Sequence, residues 1–199
     1  MLKVYGDVWS GNCYKVKLAL TQLGLTFTWV PIDTMKGESR TPEFLAKNPN
    51  GRVPTLELDD GTCLAESNAI LWYLAEGTPL VPDSRLARGQ ALQWMFFEQY
   101  SHEPNIATSR YIIRYLDNPP EKKAALAARV EPGYAALGVM ETHLKANDWF
   151  AGGHYSIADI ALYAYTHCAA EGDFDLARFP AIRAWLARVE SQPFYAPMG

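Results

Sequence analysis

Cysteine is scarce in this chain. Its three residues, Cys13, Cys63 and Cys168, are odd in number and far apart, which leaves neither a disulfide framework nor a paired-thiol zinc site. A reducing compartment fits that usage. Positive charge is not in surplus either: 18 Lys and Arg face 22 Asp and Glu, for a formal net charge of −4, whereas a dedicated nucleic-acid binder carries a basic patch. Long hydrophobic runs are also missing. The longest nearly apolar stretch, residues 157–170, contains Asp159 and His167 and falls short of the roughly 18 residues that a membrane-spanning helix needs. The first residues reach a turn at Gly6-Asp7 before any apolar core of a secretory signal develops. A soluble, cytoplasmic protein without nucleic-acid or membrane partners is expected. The histidines, His102, His143, His154 and His167, show no metal-ligand spacing, so no metal is expected. What the chain does have is a 49% hydrophobic and 13% aromatic composition, the opposite of a disordered one. Its length allows one large domain or two small ones.

The texture changes near residue 78. Leu2-Lys3-Val4-Tyr5 reads as a strand, residues 12–23 as a helix and residues 27–32 as a second strand. The helix rests on Val16, Ala19, Leu20 and Leu23 sharing a face, with Gly24 as its stop. Strand, helix and strand at this spacing make a βαβ unit. Thr41 and Pro42 announce a short helix, Thr55 to Ala65 reads as a hairpin turning at Asp59-Asp60-Gly61, and a further helix starts at Ser67. Beyond the Pro- and Gly-containing stretch from Gly77 to Asp83 nothing alternates with period two. Long helical patterns follow over residues 86–100, 121–146, 156–169 and 181–190. The expected organisation is an α/β domain over 1–78, a linker over 79–85 and an all-helical domain over 86–199.

One helix start carries a full local signature. Ser156 and Asp159 are spaced as a capping box, with Tyr155 and Ile160 placed as its hydrophobic staple. A structural role is expected there, so Asp159 should matter for folding rather than turnover.

Three other stretches carry chemistry. Ser10-Gly11-Asn12-Cys13 opens the first helix, where freed backbone amides and the helix dipole favour an anion. Asn48 to Pro54 leads into the hairpin, and Pro54 is a candidate for a cis bond because it opens a strand from a tight turn. Glu66-Ser67-Asn68-Ala69-Ile70 begins the last α/β helix and again offers amides and a hydroxyl to an anion. Singly, each also reads as an ordinary cap or turn.

In this order and spacing, together with Ser156-Ile157-Ala158-Asp159, the three stretches resemble the glutathione transferase family over essentially the whole chain. The resemblance implies a thioredoxin-like N-terminal domain, an all-α helical bundle after it, and a cytosolic homodimer. It implies activation of the glutathione thiolate for attack on a small, mostly apolar electrophile, as in detoxification. Glu66 and Ser67 would take the γ-glutamyl end, Val53 beside Pro54 would pair its backbone with the cysteinyl unit, and Arg52, with Arg40, would attract the glycine carboxylate. Ser10 and Asn12 would then meet the thiol as catalytic residues, with Tyr5 as a competing activator. Trp9, Ile106, Arg110, Tyr111 and Tyr115 are candidates for the second-substrate pocket. Cys13 stands where a thioredoxin-type motif has its second cysteine, with serine in the nucleophile position, so the chain cannot run a dithiol cycle by itself. A glutathione-dependent disulfide or peroxide reductase and a non-catalytic interaction module remain alternatives. A glutathione-dependent isomerase is a third, although Ser-Gly-Asn departs from the Ser-Ser-Cys of that class.

Overall fold

The computed structural model describes residues 1–199 and divides into two units, Met1–Thr78 together with Pro193–Gly199, and Pro79–Gln192. The last residues, expected with the helical part, group with the first unit for a visible reason. Tyr14 donates its hydroxyl to the Ala196 carbonyl at 2.8 Å and Lys17 Nζ donates to the Pro197 carbonyl at 3.2 Å, which lays the tail along the first helix.

The first unit is a four-stranded mixed sheet with helices. Strand β1 (Leu2–Gly6) runs parallel to β2 (Phe27–Pro31) and antiparallel to β3 (Thr55–Glu57), which pairs in turn with β4 (Cys63–Ala65), giving the order β2-β1-β3-β4. Helices α1 (Gly11–Gln22), α2 (Pro42–Leu45) and α3 (Ser67–Ala75) complete it. Thr41 caps α2 as its sequence foretells, accepting from the Phe44 amide at 3.3 Å. Alternation along the strands sends Val4 and Leu56 to one face, where they bury against Val16 and Leu20 of α1 and Ile70 and Leu74 of α3.

The opposite face carries charge. There Glu57 is 7% exposed and accepts from Lys3 Nζ at 2.6 Å, Lys47 Nζ at 2.5 Å and the Tyr5 hydroxyl at 2.7 Å. These donors, Lys3 first, hold the Glu57 carboxyl down at about 2 against an ordinary 4.5. A depressed carboxylate stabilises the fold above its unfolded value, and that contribution is lost as pH falls from about 4.5 towards 2. Glu57→Gln should therefore cost about 1 kcal/mol at pH 7, after solvent screening, and flatten that acid limb of the stability profile measured by urea denaturation.

The second unit is helical throughout. Helix α4 (Arg85–Phe97) passes through a π-helical segment, Glu98–His102, into α5 (Glu103–Arg114). The helical pattern expected over 86–100 thus continues to Arg114, with the wider π-helical turn lying just before Pro104, which has no N–H to give to that turn. Helix α6 (Lys123–Leu144) contains Pro132, and α7 (Ile157–Thr166) is buried along its whole length. Helix α8 (Pro180–Glu190) packs against α6 and α7. The capping box forms: the Asp159 carboxylate accepts from the Ser156 amide at 3.0 Å, while the Ser156 hydroxyl oxygen accepts from the Ala158 amide at 3.3 Å. No helix is long and apolar enough to cross a membrane.

Candidate active site

The first turn of α1 is the starting point. Ser10 is its N-cap, in extended conformation, with Oγ accepting from the Cys13 amide at 3.4 Å. That contact uses the oxygen of Ser10 as an acceptor, and an accepting hydroxyl still has its proton to donate. Asn12 follows, half-buried, with its Oδ1 accepting from the Ser67 hydroxyl at 3.2 Å. Ser67 opens α3 and is 5% exposed. The N-termini of α1 and α3 are therefore joined by a hydrogen bond across 55 residues of sequence, and each contributes amides with the positive end of a helix dipole. Glu66, just before Ser67, is exposed and holds φ at 67°, a left-handed backbone that a side chain adopts only under constraint. The turn thereby sets an acid beside the donors of the α3 terminus.

The third stretch leads into β3. The Val53-Pro54 bond is cis; Val53 is half-buried and Pro54 buried. Asn48, 4% exposed, holds this turn by donating from Nδ2 to the Arg52 carbonyl at 2.7 Å. Arg52 is exposed, and Arg40, also exposed, donates from Nη1 to the Asn50 carbonyl at 2.9 Å. Gly51 has φ at 62°, and a Cβ there would lie 2.5 Å from Arg40 Nη1, so glycine is what lets Arg40 close over the turn.

Sulfur chemistry by the chain's own Cys13 is disfavoured. Cys13 is fully buried, and burial pushes its thiol up to about 12, against weaker lowering by the Ser10 hydroxyl. It fills the space left by Gly6, where a Cβ would meet its Sγ at 2.9 Å. Tyr5 commits its hydroxyl to Glu57.

The remaining pocket candidates divide between the units. In the first, Trp9 is 50% exposed at the turn before Ser10, with its amide on Asp7 Oδ1 at 2.8 Å. In the second, Ile106 is fully buried, and Arg110, 2% exposed, donates from Nε to Glu171 Oε2 at 2.8 Å, joining α5 to the 3-10 turn Ala169–Gly172. Tyr111 is 42% exposed and stacks on half-buried Tyr115 with ring centroids 5.5 Å apart. Of the four, the tyrosines present the accessible surface.

The sequence reading missed Lys15. It is fully buried, and Nζ donates to Ser67 Oγ at 3.3 Å and to Asn68 Oδ1 at 3.4 Å. A signal for it existed: Lys15 lies three residues after Asn12, on the same face of the helix, amid the buried run Cys13, Tyr14 and Val16. No group of three or more His, Cys, Asp or Glu stands together as metal ligands would.

A mixed sheet of order β2-β1-β3-β4 with two anion-receptive helix N-termini side by side, followed by a helical unit, defines a two-part protein on a thioredoxin-like frame. The chain belongs to the glutathione S-transferase family: residues 9–76 match its N-terminal domain and residues 102–193 its C-terminal domain. Among curated proteins it is 33% identical to the glutathione S-transferase-like protein LUC7 of Fusarium sp, over 94% of this chain and 87% of that protein. It is 30% identical to the disulfide-bond oxidoreductase YfcG of Escherichia coli strain K12, over 92% and 87%. Among solved structures, a glutathione S-transferase from Pseudomonas fluorescens Pf-5 is similar at 55% identity with a TM-score of 0.97, covering 99% of this chain and 98% of that one. A glutathione transferase family member from the same organism, solved with two glutathione molecules bound, is similar at 27% identity and a TM-score of 0.84, over 97% and 89%.

Proposed function

We propose that this protein binds glutathione on its first unit and activates the thiol for attack on a small electrophile. The observation that carries the reading is the hydrogen-bonded meeting of the α1 and α3 N-termini through Asn12 and Ser67, with Ser10 and Glu66 beside them. Glutathione is a tripeptide with a zwitterionic γ-glutamyl end, a thiol in the middle and a carboxylate at the other end. Its charges are matched in kind by an acid, helix-terminal amides and arginines on the first unit. Glu66 would pair the γ-glutamyl amine, and the backbone amides of Ser67 and the residues after it at the start of α3 would take its carboxylate. Val53 would bond the cysteinyl backbone in the manner of an added strand. Arg52, with Arg40 behind it, would attract the glycine carboxylate.

The thiol would then stand at the α1 terminus, where a hydroxyl donor from Ser10, a donor from Asn12 and the helix dipole all favour the thiolate. Attack forms a carbon–sulfur bond while the leaving group departs with its electron pair. On the second unit Tyr111 and Tyr115 present the aromatic surface proposed for an apolar electrophile, whereas Ile106 and Arg110 are buried beneath it. The exposed face of α4, with Leu86 and Phe96 at 74% and 70% exposure and Tyr100 just beyond at 88%, is the proposed seat of a second copy in a homodimer. A cytoplasmic location follows from the reducing setting such chemistry needs.

A second reading is kept for one specific reason, the disulfide-bond oxidoreductase relative. With Cys13 buried, glutathione would supply the sulfur of such a reductase: its thiolate attacks one sulfur of a disulfide and the other leaves as a thiolate.

Retention on immobilised glutathione, followed by titration of thiolate absorbance, tests the shared part. The bound thiol should titrate at about 7 against about 8.5 in solution. Turnover of an aryl halide then supports the transferase reading, and turnover of a mixed glutathione disulfide alone supports the reductase. A protein that neither retains glutathione nor turns over either substrate would be an interaction module.

A further inference from the structure

The buried lysine at the junction of α1 and α3 has a direction to impose. An ammonium group only donates, so the Ser67 oxygen facing Lys15 Nζ at 3.3 Å must accept, and the Ser67 proton points elsewhere. It goes to Asn12 Oδ1 at 3.2 Å. The same ammonium lies 3.4 Å from Asn68 Oδ1, so two carbonyl-type oxygens, one direct and one through Ser67, are turned towards one buried cation. An amide side chain is a dipole with its oxygen and its NH2 on opposite branches. A fixed positive charge behind Ser67 favours the orientation of Asn12 in which the oxygen faces the charge and the NH2 faces away.

We infer that Lys15 is a positioning residue: through Ser67 it sets the polarity of a hydrogen-bond relay, Lys15 to Ser67 to Asn12, that presents Asn12 to the bound thiolate with its NH2 forward. The inference rests on the proposed glutathione site and concerns a residue that would not touch glutathione's sulfur. In the complex the γ-glutamyl carboxylate is met by the first backbone amides of α3, and the Ser67 hydroxyl keeps its one proton on Asn12 Oδ1.

Two substitutions break the relay at different links, Lys15→Met, which keeps the length and loses the charge, and Ser67→Ala. Each is made with Asn12 present and in an Asn12→Ala background, with Lys15→Arg as the conservative variant. The readout is the pKa of glutathione's thiol in the complex, from thiolate absorbance at saturating glutathione. With Asn12 present, Lys15→Met and Ser67→Ala should each raise that pKa by about half a unit or more, and Lys15→Arg should restore most of the wild-type value. In the Asn12→Ala background neither should raise it further. A rise that persists without Asn12 would show that Lys15 only holds the two helices together, and an unchanged pKa in folded, saturated Lys15→Met and Ser67→Ala would remove the relay. Should Lys15→Met fail to fold, Ser67→Ala in the two backgrounds decides by itself. Wild-type protein that does not lower the thiol pKa would fail the glutathione reading first, and is told apart from failure of the relay by that control.

Discussion

Asp159→Ala is expected to cost about 3–5 kcal/mol, the largest effect of any single substitution considered, and to leave little folded protein at 37 °C. Four donors converge on this fully buried carboxylate: the Phe150 amide at 3.2 Å and Trp185 Nε1 at 2.9 Å on one oxygen, and the Ser156 amide at 3.0 Å and hydroxyl at 3.2 Å on the other. Removing the acceptor leaves all four buried without it, and the start of α7 comes apart from the loop before it and from α8. Asn at this position is predicted to be little better, at about 2–4 kcal/mol, because its NH2 would be turned against donors. Ser156→Ala, which loses a cap but leaves the carboxylate, should cost about 1–2 kcal/mol. Thermal and urea denaturation give the ranking. Whatever protein folds should still bind glutathione, which separates a folding role from a catalytic one.

The same carboxyl gives a pH dependence opposite in sign to that of Glu57. Burial holds Asp159 up at about 7 in spite of its donors, against an ordinary 3.8. A raised acid stabilises the folded state fully below its unfolded value, and that contribution is lost as pH rises through about 7. Stability should thus decline on the acid side through Glu57 and on the neutral side through Asp159. Substitution of each residue should flatten its own limb and leave the other in place.

Ser10→Ala is expected to lower kcat/KM with a glutathione acceptor by about 10- to 100-fold while glutathione is still retained. The estimate follows from one charge-assisted hydrogen bond to a thiolate, about 1.5–3 kcal/mol. The bound thiol pKa should rise by about one unit, so the loss should shrink as the assay pH is raised and thiolate forms without help. Substitution leaves the α1 dipole in place but removes the cap on the Cys13 amide, so a thermal melt is run in parallel. An unchanged thiol pKa in the folded variant would transfer the role to Asn12. Tyr5 is not a natural heir, because its hydroxyl is bound to Glu57 on the sheet at 2.7 Å.

Much of the fold is legible in the residues because the signals are local. Val16, Ala19 and Leu20 share a face within one helix, Thr41 and Pro42 mark a helix start, and Ser156 with Asp159 declares a cap. Each needs only a turn or two of chain. The continuation of α4 into α5 was not legible, since Pro104 reads as a break unless the helix is already known to run up to it. The site divides in the same way. The Ser10 turn, the Val53-Pro54 turn and the Glu66-Ser67 turn are each visible as motifs. That Arg110 belongs to Glu171, 61 residues on, and Lys15 to Ser67, 52 residues on, is not.

By itself the sequence determined a sparse-cysteine, mildly acidic chain with an α/β half, a helical half, two anion-receptive helix starts and a proline turn, because composition and short-range periodicity decide those. Only the tertiary structure decided which polar groups answer one another. It put Cys13 out of reach beneath Ser10, committed Tyr5 to Glu57, turned Arg110 towards Glu171 and brought a buried ammonium to the back of Ser67. Burial and hydrogen bonding act between groups that meet in space whatever their separation along the chain. The scarcity of cysteine was visible at once, but that the first of the three is buried and held protonated became visible only in the folded unit.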